Sequence, residues 1–235
     1  MTQEQIKAEV ANIFNSEKWN KFQLGEYSLS KFQKIEELAR EIVSAGMADS
    51  VIPEAEETHK RNEYNLSLMF LLGMMQYLTD RVVPATVLFQ KLVMNFRKKD
   101  KNSIVEYLCR KMLEHGDDVF ALKNLIAAVK AGGGGTAQEL EQLQERLIGM
   151  DSSDNETLLS LAALKEKAGH TKEALHFYLQ SLNNYIHEQT RKNVEEIWNK
   201  VILMVPNYSE ILLPLEDQLL AAFDREFVFG PPNLE

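Results

Sequence analysis

Five histidines, one cysteine and several acidic pairs are the side chains of this sequence that could do chemistry. A zinc or nucleophilic site needs them at spacings that converge on one face of an element. His59, His115, His170, His176 and His187 form no His-Glu-x-x-His run and no i, i+4 pair. His170 and His176 stand six positions apart, roughly 600° around a helix, and so face different ways. Cys109 lies between Leu108 and Met112 on the apolar side of a helical pattern, where a buried, inert thiol is expected. Glu36-Glu37, Glu56-Glu57 and Glu195-Glu196 are adjacent in sequence and diverge around a helix, as on a solvated face. Arg97-Lys98-Lys99 with Lys101 is the one basic cluster, and it fits the negative end of a helix dipole better than a phosphate site. Gly132 to Gly135 runs straight into Thr136, without the Gly-Lys-Ser/Thr close of a phosphate loop. No catalytic constellation, metal site or cofactor site follows from these residues, and the expected class is a non-enzyme.

The elements that must position these side chains are helices. Alternation of apolar and polar residues is scarce, whereas helical spacing recurs along the chain. Ile6, Val10, Ile13 and Phe14 share one face of a first helix. Ser30 with Gln33 reads as a capping box for a second, which carries Ile35, Leu38, Ile42 and Val43 and stops at Gly46. Pro53 followed by Glu54, Glu56 and Glu57 reads as a further helix start. The run 65–79 is apolar nearly all round but short of the ~20 residues that a membrane span needs. It is expected to be a central helix, with Met69, Met74 and Met75 in the core and Gly73 admitting a close neighbour. Thr136 with Glu139 predicts another capping box.

Bulk properties agree. The 235 residues are 45% hydrophobic and 26% charged, with a formal net charge of −9. Residues 1–100 hold 13 basic and 14 acidic residues, so the surplus of acid falls in 101–235. Such a balance argues against autonomous, sequence-specific nucleic-acid binding. One cysteine fits a reducing compartment and the N-terminus shows no secretory pattern, so a soluble, cytoplasmic protein is expected.

A repeat emerges from residue 102. The pattern Val105 to Leu113 recurs at Leu140 to Ile148 and again from Ala174 to Leu182, at steps of 35 and 34. That period, built from two helices, resembles the tetratricopeptide family. Leu158, Leu161, Ala162, Gly169, Ala174 and Tyr178 fit its pattern, while Lys165 replaces the usual aromatic and Ile186 the usual proline. The expectation is an all-α, tetratricopeptide-like helical array (an α-solenoid) of degenerate repeats. Its parts would be an N-terminal helical subdomain at 1–100, repeats at 101–228 and a tail at 229–235. Trp198 is expected to fill a groove between helices. Helix phase leaves Asn155, Thr157, Lys165 and Glu166 on the exposed sides of one helix, and Asn155 and Lys165 are the candidate protein-contact residues.

Glu17-Lys18-Trp19 running into Leu24, Tyr27 and Ser28 is similar to the opening of the long Gre-type transcription elongation factors of spirochaetes. Ser103 to Cys109 and Asn193 to Trp198 resemble the same helical, tetratricopeptide-like region of those proteins. The resemblance implies a protein partner, RNA polymerase or an associated factor, and no membrane. It carries over no cleavage residues, because no coiled-coil hairpin with an acidic tip is present to match. The alternative is a general tetratricopeptide-like adaptor unrelated to transcription.

Overall fold

The computed structural model describes residues 1–15, 27–132, 135–205 and 209–223. Its described residues form helices and no strands, and they divide into two compact units, residues 1–135 and 136–235. The helix holding Val105, which the sequence groups with the repeats, belongs to the first unit. Of the sequence features, Glu17, Lys18, Trp19, Leu24, Gly133 and Gly134, with residues 224–235, lie outside the described residues.

The first unit contains α1 (Gln3–Phe14), α2 (Leu29–Ser44), α3 (Ala48–Arg61), α4 (Leu66–Leu78), α5 (Val82–Arg97), α6 (Asn102–Leu113) and α7 (Val119–Gly132). At its centre is α4, buried continuously from Leu66 to Tyr77 as its apolar circumference requires, because α2, α3 and α5 enclose it. Met69, Met74 and Met75 are core residues. Gly73 is where α5 comes closest. A Cβ there would stand 2.8 Å from the Phe89 ring, so only glycine allows this approach. Phe32, Phe70, Phe89 and Phe96 are fully buried, and Phe32 meets Phe70 and Phe96 edge-on at 4.8 and 5.4 Å between centroids.

The second unit contains α8 (Ala137–Met150), α9 (Asn155–Lys167), α10 (Thr171–His187), α11 (Arg191–Met204) and α12 (Ser209–Phe223). Ala162 and Ala174 are fully buried where α9 and α10 approach, and Leu182, Val194, Trp198 and Val201 fill the space beside them. Trp198 is 1% exposed and is a core residue, as its spacing suggests.

One turn recurs. After α2, α4, α5, α9 and α10 an amide bonds back to the carbonyl five residues earlier, around a bond that spans three. This is the Schellman close, and it needs one residue with positive φ. Gly46 and Gly169 supply it, but Asp80, Asp100 and Gln189 adopt it with side chains at φ 59°, 54° and 54°. The turn joins α5 to α6 and α9 to α10 alike, so two of the expected repeat pairs share a connection. The third, α7 with α8, belongs half to each unit. The array is all-α and tetratricopeptide-like.

Three local expectations are corrected. Ser28, rather than Ser30, caps α2, accepting from the Lys31 amide at 3.3 Å. Pro53 lies inside α3 rather than at its start, because the tight turn at Gly46 delivers the chain straight into a helix that begins at Ala48. Glu36 is not on a solvated face. Its carboxylate accepts from Arg40 at 2.7 Å and from Tyr107, with Lys111 3.0 Å away, tying α2 to α6. Burial alone would raise its pKa, but hydrogen bonds from Tyr107, Arg40 and Lys111 outweigh this and hold it below the usual carboxylate value.

Candidate protein-binding faces

Helix phase alone put Asn155, Thr157, Lys165 and Glu166 outward. The structure buries the first three, and the expectation of exposure is corrected. The physical reason is that α9 packs against both α8 and α10, so sides of the helix that phase leaves free are covered, at Asn155 by α10 and at Lys165 by α8 and α10 together. Lys165 stands where the repeat pattern has an aromatic. Its four-carbon stem takes the buried place while its Nζ reaches Glu141 at 2.5 Å, Glu173 at 2.8 Å and Glu145 at 3.0 Å. The hydrogen bonds that it donates to Glu141 and Glu173 keep the ammonium charged far above its ordinary range. Asn155 Oδ1 accepts from Ser181 Oγ at 3.2 Å and Asn184 Nδ2 at 3.1 Å, and its Nδ2 donates to Glu188 at 3.4 Å. Both residues spend their polar atoms holding α9 to its neighbours.

Glu166 is half exposed and extends this network. It accepts from the Tyr178 hydroxyl at 2.9 Å and pairs with Lys200 at 2.9 Å, while Lys200 also lies 4.7 Å from the Tyr178 ring centre. The second departure from the repeat pattern has a simple cause. Ile186 takes the proline position because α10 continues to His187, and its side chain packs in the core.

The residues considered for chemistry are dispersed. Cys109 is buried among apolar groups, which pushes its thiol up to about 12, so it is protonated at neutral pH. The His115 ring stacks on Tyr77, with centroids 4.1 Å apart, and His170 sits 3.6 Å from Glu173. Among the described residues no group of three His, Cys, Asp or Glu side chains is placed to hold a metal ion. No helix among them is long and apolar enough to cross a membrane.

Two concave regions open to solvent. In the second unit, a cleft of 530 Å³ lies between α10 and α12, with Ile186, Ala221 and Ala222 as its apolar part and Asn183, Gln189 and Gln218 as amides around it. In the first unit, a cleft of 370 Å³ lies among α3, α4 and α5, where Leu72, Pro84, Val87 and Leu88 meet Glu56, His59, Lys60 and Gln76. Beside it, α5 exposes Val83, Val87 and Met94, at 77%, 47% and 52%. Sequence reading did not single these out. The available signal was an excess of apolar residues on α5 beyond those needed for its buried stripe.

The sequence is 26% identical over 181 residues to a GreA-associated domains protein of Treponema pallidum, covering 77% of this chain and 27% of that protein. It is 22% identical over 206 residues to the transcription elongation factor GreA of Borreliella burgdorferi, covering 87% of this chain and 22% of that protein. The chain resembles the helical region of Gre-type factors. It spans less than a third of the length of either curated relative. No family model matches the sequence. Among solved structures, a double mutant of MamA aligns at a TM-score of 0.38 and 9% identity over 67% of this chain and 96% of that one. YrrB, a TPR protein with an unusual peptide-binding site, aligns at 0.29 and 11% over 83% and 94%.

Proposed function

We propose that this chain is a non-catalytic protein-interaction module of the transcription elongation machinery, with RNA polymerase or an associated factor as its partner. The observation that carries the reading is the sequence relation to two proteins named for GreA, which extends over most of this chain. The architecture supports it, because arrays of helical pairs expose long ridged faces suited to other polypeptides. The scatter of histidines and the protonated Cys109 fit a surface that binds and does not react. In this reading Asn155 and Lys165 brace a binding face from inside, because their polar atoms are already engaged.

The test is retention of the purified chain on immobilised core RNA polymerase from its own organism, with the denatured chain as control. Saturable retention is expected, while stalled elongation complexes given the chain alone should show no faster RNA cleavage. Absence of retention would remove polymerase as the direct partner, and stimulated cleavage would overturn the non-catalytic reading.

A further inference from the structure

The outer side of α5 is unusual on this molecule. Val83, Val87, Gln90 and Met94 fall within about 60° of one another around the helix and make one exposed or half-exposed stripe. Lys91 and Lys98 follow on one flank of that stripe, seven residues apart, and both are exposed. Between Asp80 and Asp100 the chain carries no acidic residue at all. From its own residues α5 therefore presents only positive charge on this flank, next to apolar side chains, with Glu56 of α3 the acid in the cleft beside it, a combination that a folded surface rarely keeps without use.

The cleft of the first unit opens on the same flank, through Pro84, Val87 and Leu88. It contains Gln76, which is 3% exposed. The amide of Gln76 donates through Nε2 to Glu56 at 3.1 Å, which fixes its orientation, and its Oε1 is left buried without a hydrogen-bond partner. His59 Nδ1, across the same cleft, is likewise buried and unbonded. A buried acceptor without a donor is costly, so an occupant that brings an N–H or O–H would be favoured there. Lipid acyl chains and nucleic-acid phosphates have no such donor to offer at neutral pH. A protein side chain does.

We infer that the outer face of α5, with the cleft beside it, docks an amphipathic helix of a partner protein whose apolar stripe is flanked by acidic residues. This rests on the reading of the chain as a protein-interaction module. Val83 and Val87 stand one turn apart, and Met94 about 10 Å further along, which matches the i, i+4, i+7 and i+11 ridge of a facing helix. Acids on that helix meet Lys91 and Lys98. One side chain with a donor, such as Asn, Gln or Trp, turns into the cleft toward Gln76 and Glu56, because helical main-chain amides are already bonded. An extended segment would find no sheet edge to join among the described residues.

The probe is a synthetic helical peptide with leucines at i, i+4, i+7 and i+11, and with glutamates and one asparagine together along a single flank. Its binding to the full chain is followed by fluorescence anisotropy. A lysine-for-glutamate peptide and phosphatidylcholine vesicles containing phosphatidylglycerol serve as competitors for the same face. The expected result is saturable binding of the acidic peptide that Val83→Asp with Val87→Asp weakens about tenfold or more, and that the lysine peptide does not reproduce. Lys91→Glu with Lys98→Glu should invert the preference between the two peptides. All four positions are exposed, and circular dichroism verifies that each variant stays folded.

Equal binding by the aspartate variant, no binding by the acidic peptide, or a face that takes only the vesicles would each overturn the inference. Retention on polymerase separates this from the broader reading. If the native and aspartate chains are retained alike, the α5 face is not the partner site while the interaction reading stands. If neither is retained but the peptide still binds as described, the face stands and the assignment of polymerase falls.

Discussion

The two units solve the problem of joining helices in different ways. The first surrounds one helix, α4, that is buried from Leu66 to Tyr77, and stacks phenylalanine rings from α2, α4 and α5 around it. The second has no helix buried all round among its described residues, and adds a polar hub to its apolar core. Lys165 draws carboxylates from α8 and α10 onto α9, while Asn155 bonds α9 to the far end of α10. A core of rings excludes water and is indifferent to salt and pH. A hub of charges specifies register between helices, but it is exposed to both through the carboxylates at its edge, which are 34% to 55% accessible.

Removing a fully buried ring from each unit should have the greatest effect and should be equally severe in both. Phe70→Ala in the first and Trp198→Ala in the second should each cost about 3–5 kcal/mol, read from chemical denaturation. A clearly milder loss for Trp198→Ala would show that the second unit leans on its polar hub rather than on its core.

Lys165→Met tests the hub directly. It keeps the stem and removes the charge, leaving three carboxylates facing one another, and should cost about 2 kcal/mol after allowing for solvent around the carboxylates. The native chain should lose part of its stability at both pH extremes. Lys165 has a raised pKa in the fold, so its contribution is complete below the unfolded lysine value and is lost as pH rises through the higher folded one. Glu173 has a lowered pKa, chiefly through its hydrogen bond from Lys165. Its contribution is present above the unfolded carboxylate value and lost as pH falls through the folded one. Melting curves from acid to alkaline pH should therefore be flatter for Lys165→Met than for the native chain. Identical profiles would show that the hub contributes no pH-dependent stability.

Gly73→Ala sharpens the comparison from the other side. Alanine is the better helix former by about 1 kcal/mol, yet its Cβ would press on the Phe89 ring. Overpacking should win, with a net loss of about 1 kcal/mol and a lowered melting midpoint. A raised midpoint would mean that the ring cluster can shift, and that the first core is looser than its rings suggest.

The smallest effect is expected at Gln189, whose φ of 54° places a side-chain-bearing residue in the left-handed region at the turn from α10 to α11. Gln189→Gly should raise stability by a few tenths of a kcal/mol, since glycine relieves the steric cost but loses more entropy on folding. The same exchange at Asp80 should gain less, because aspartate tolerates this conformation better.

Much of the fold was legible from order and spacing. The central α4 could be read from its nearly all-round apolar circumference, Gly73 from being the one glycine on it, and the α9–α10 pair from Ala162, Ala174 and Tyr178. These features are local, or repeat at one period, so a single strand of sequence carries them. The turns at Asp80, Asp100 and Gln189 were not legible, because nothing but the packed helices on either side forces those residues to positive φ. Nor was Pro53 inside α3, where the preceding Gly46 turn decided the start of the helix.

The candidate binding residues show where the boundary lies. Sequence by itself determined which residues of α9 share a side, since 3.6 residues per turn leave no choice. Which sides are covered was decided only by the tertiary structure, because a helix in an array has two neighbours and the pattern of one pair reports only one of them. Lys165 was read outward by phase and is held inward by carboxylates from α8 and α10, helices that the sequence of α9 does not mention. Val83, Val87 and Met94 went the other way. Nothing in their spacing marked them as a surface, and the structure leaves them exposed because the neighbours of α5 pack against its opposite side.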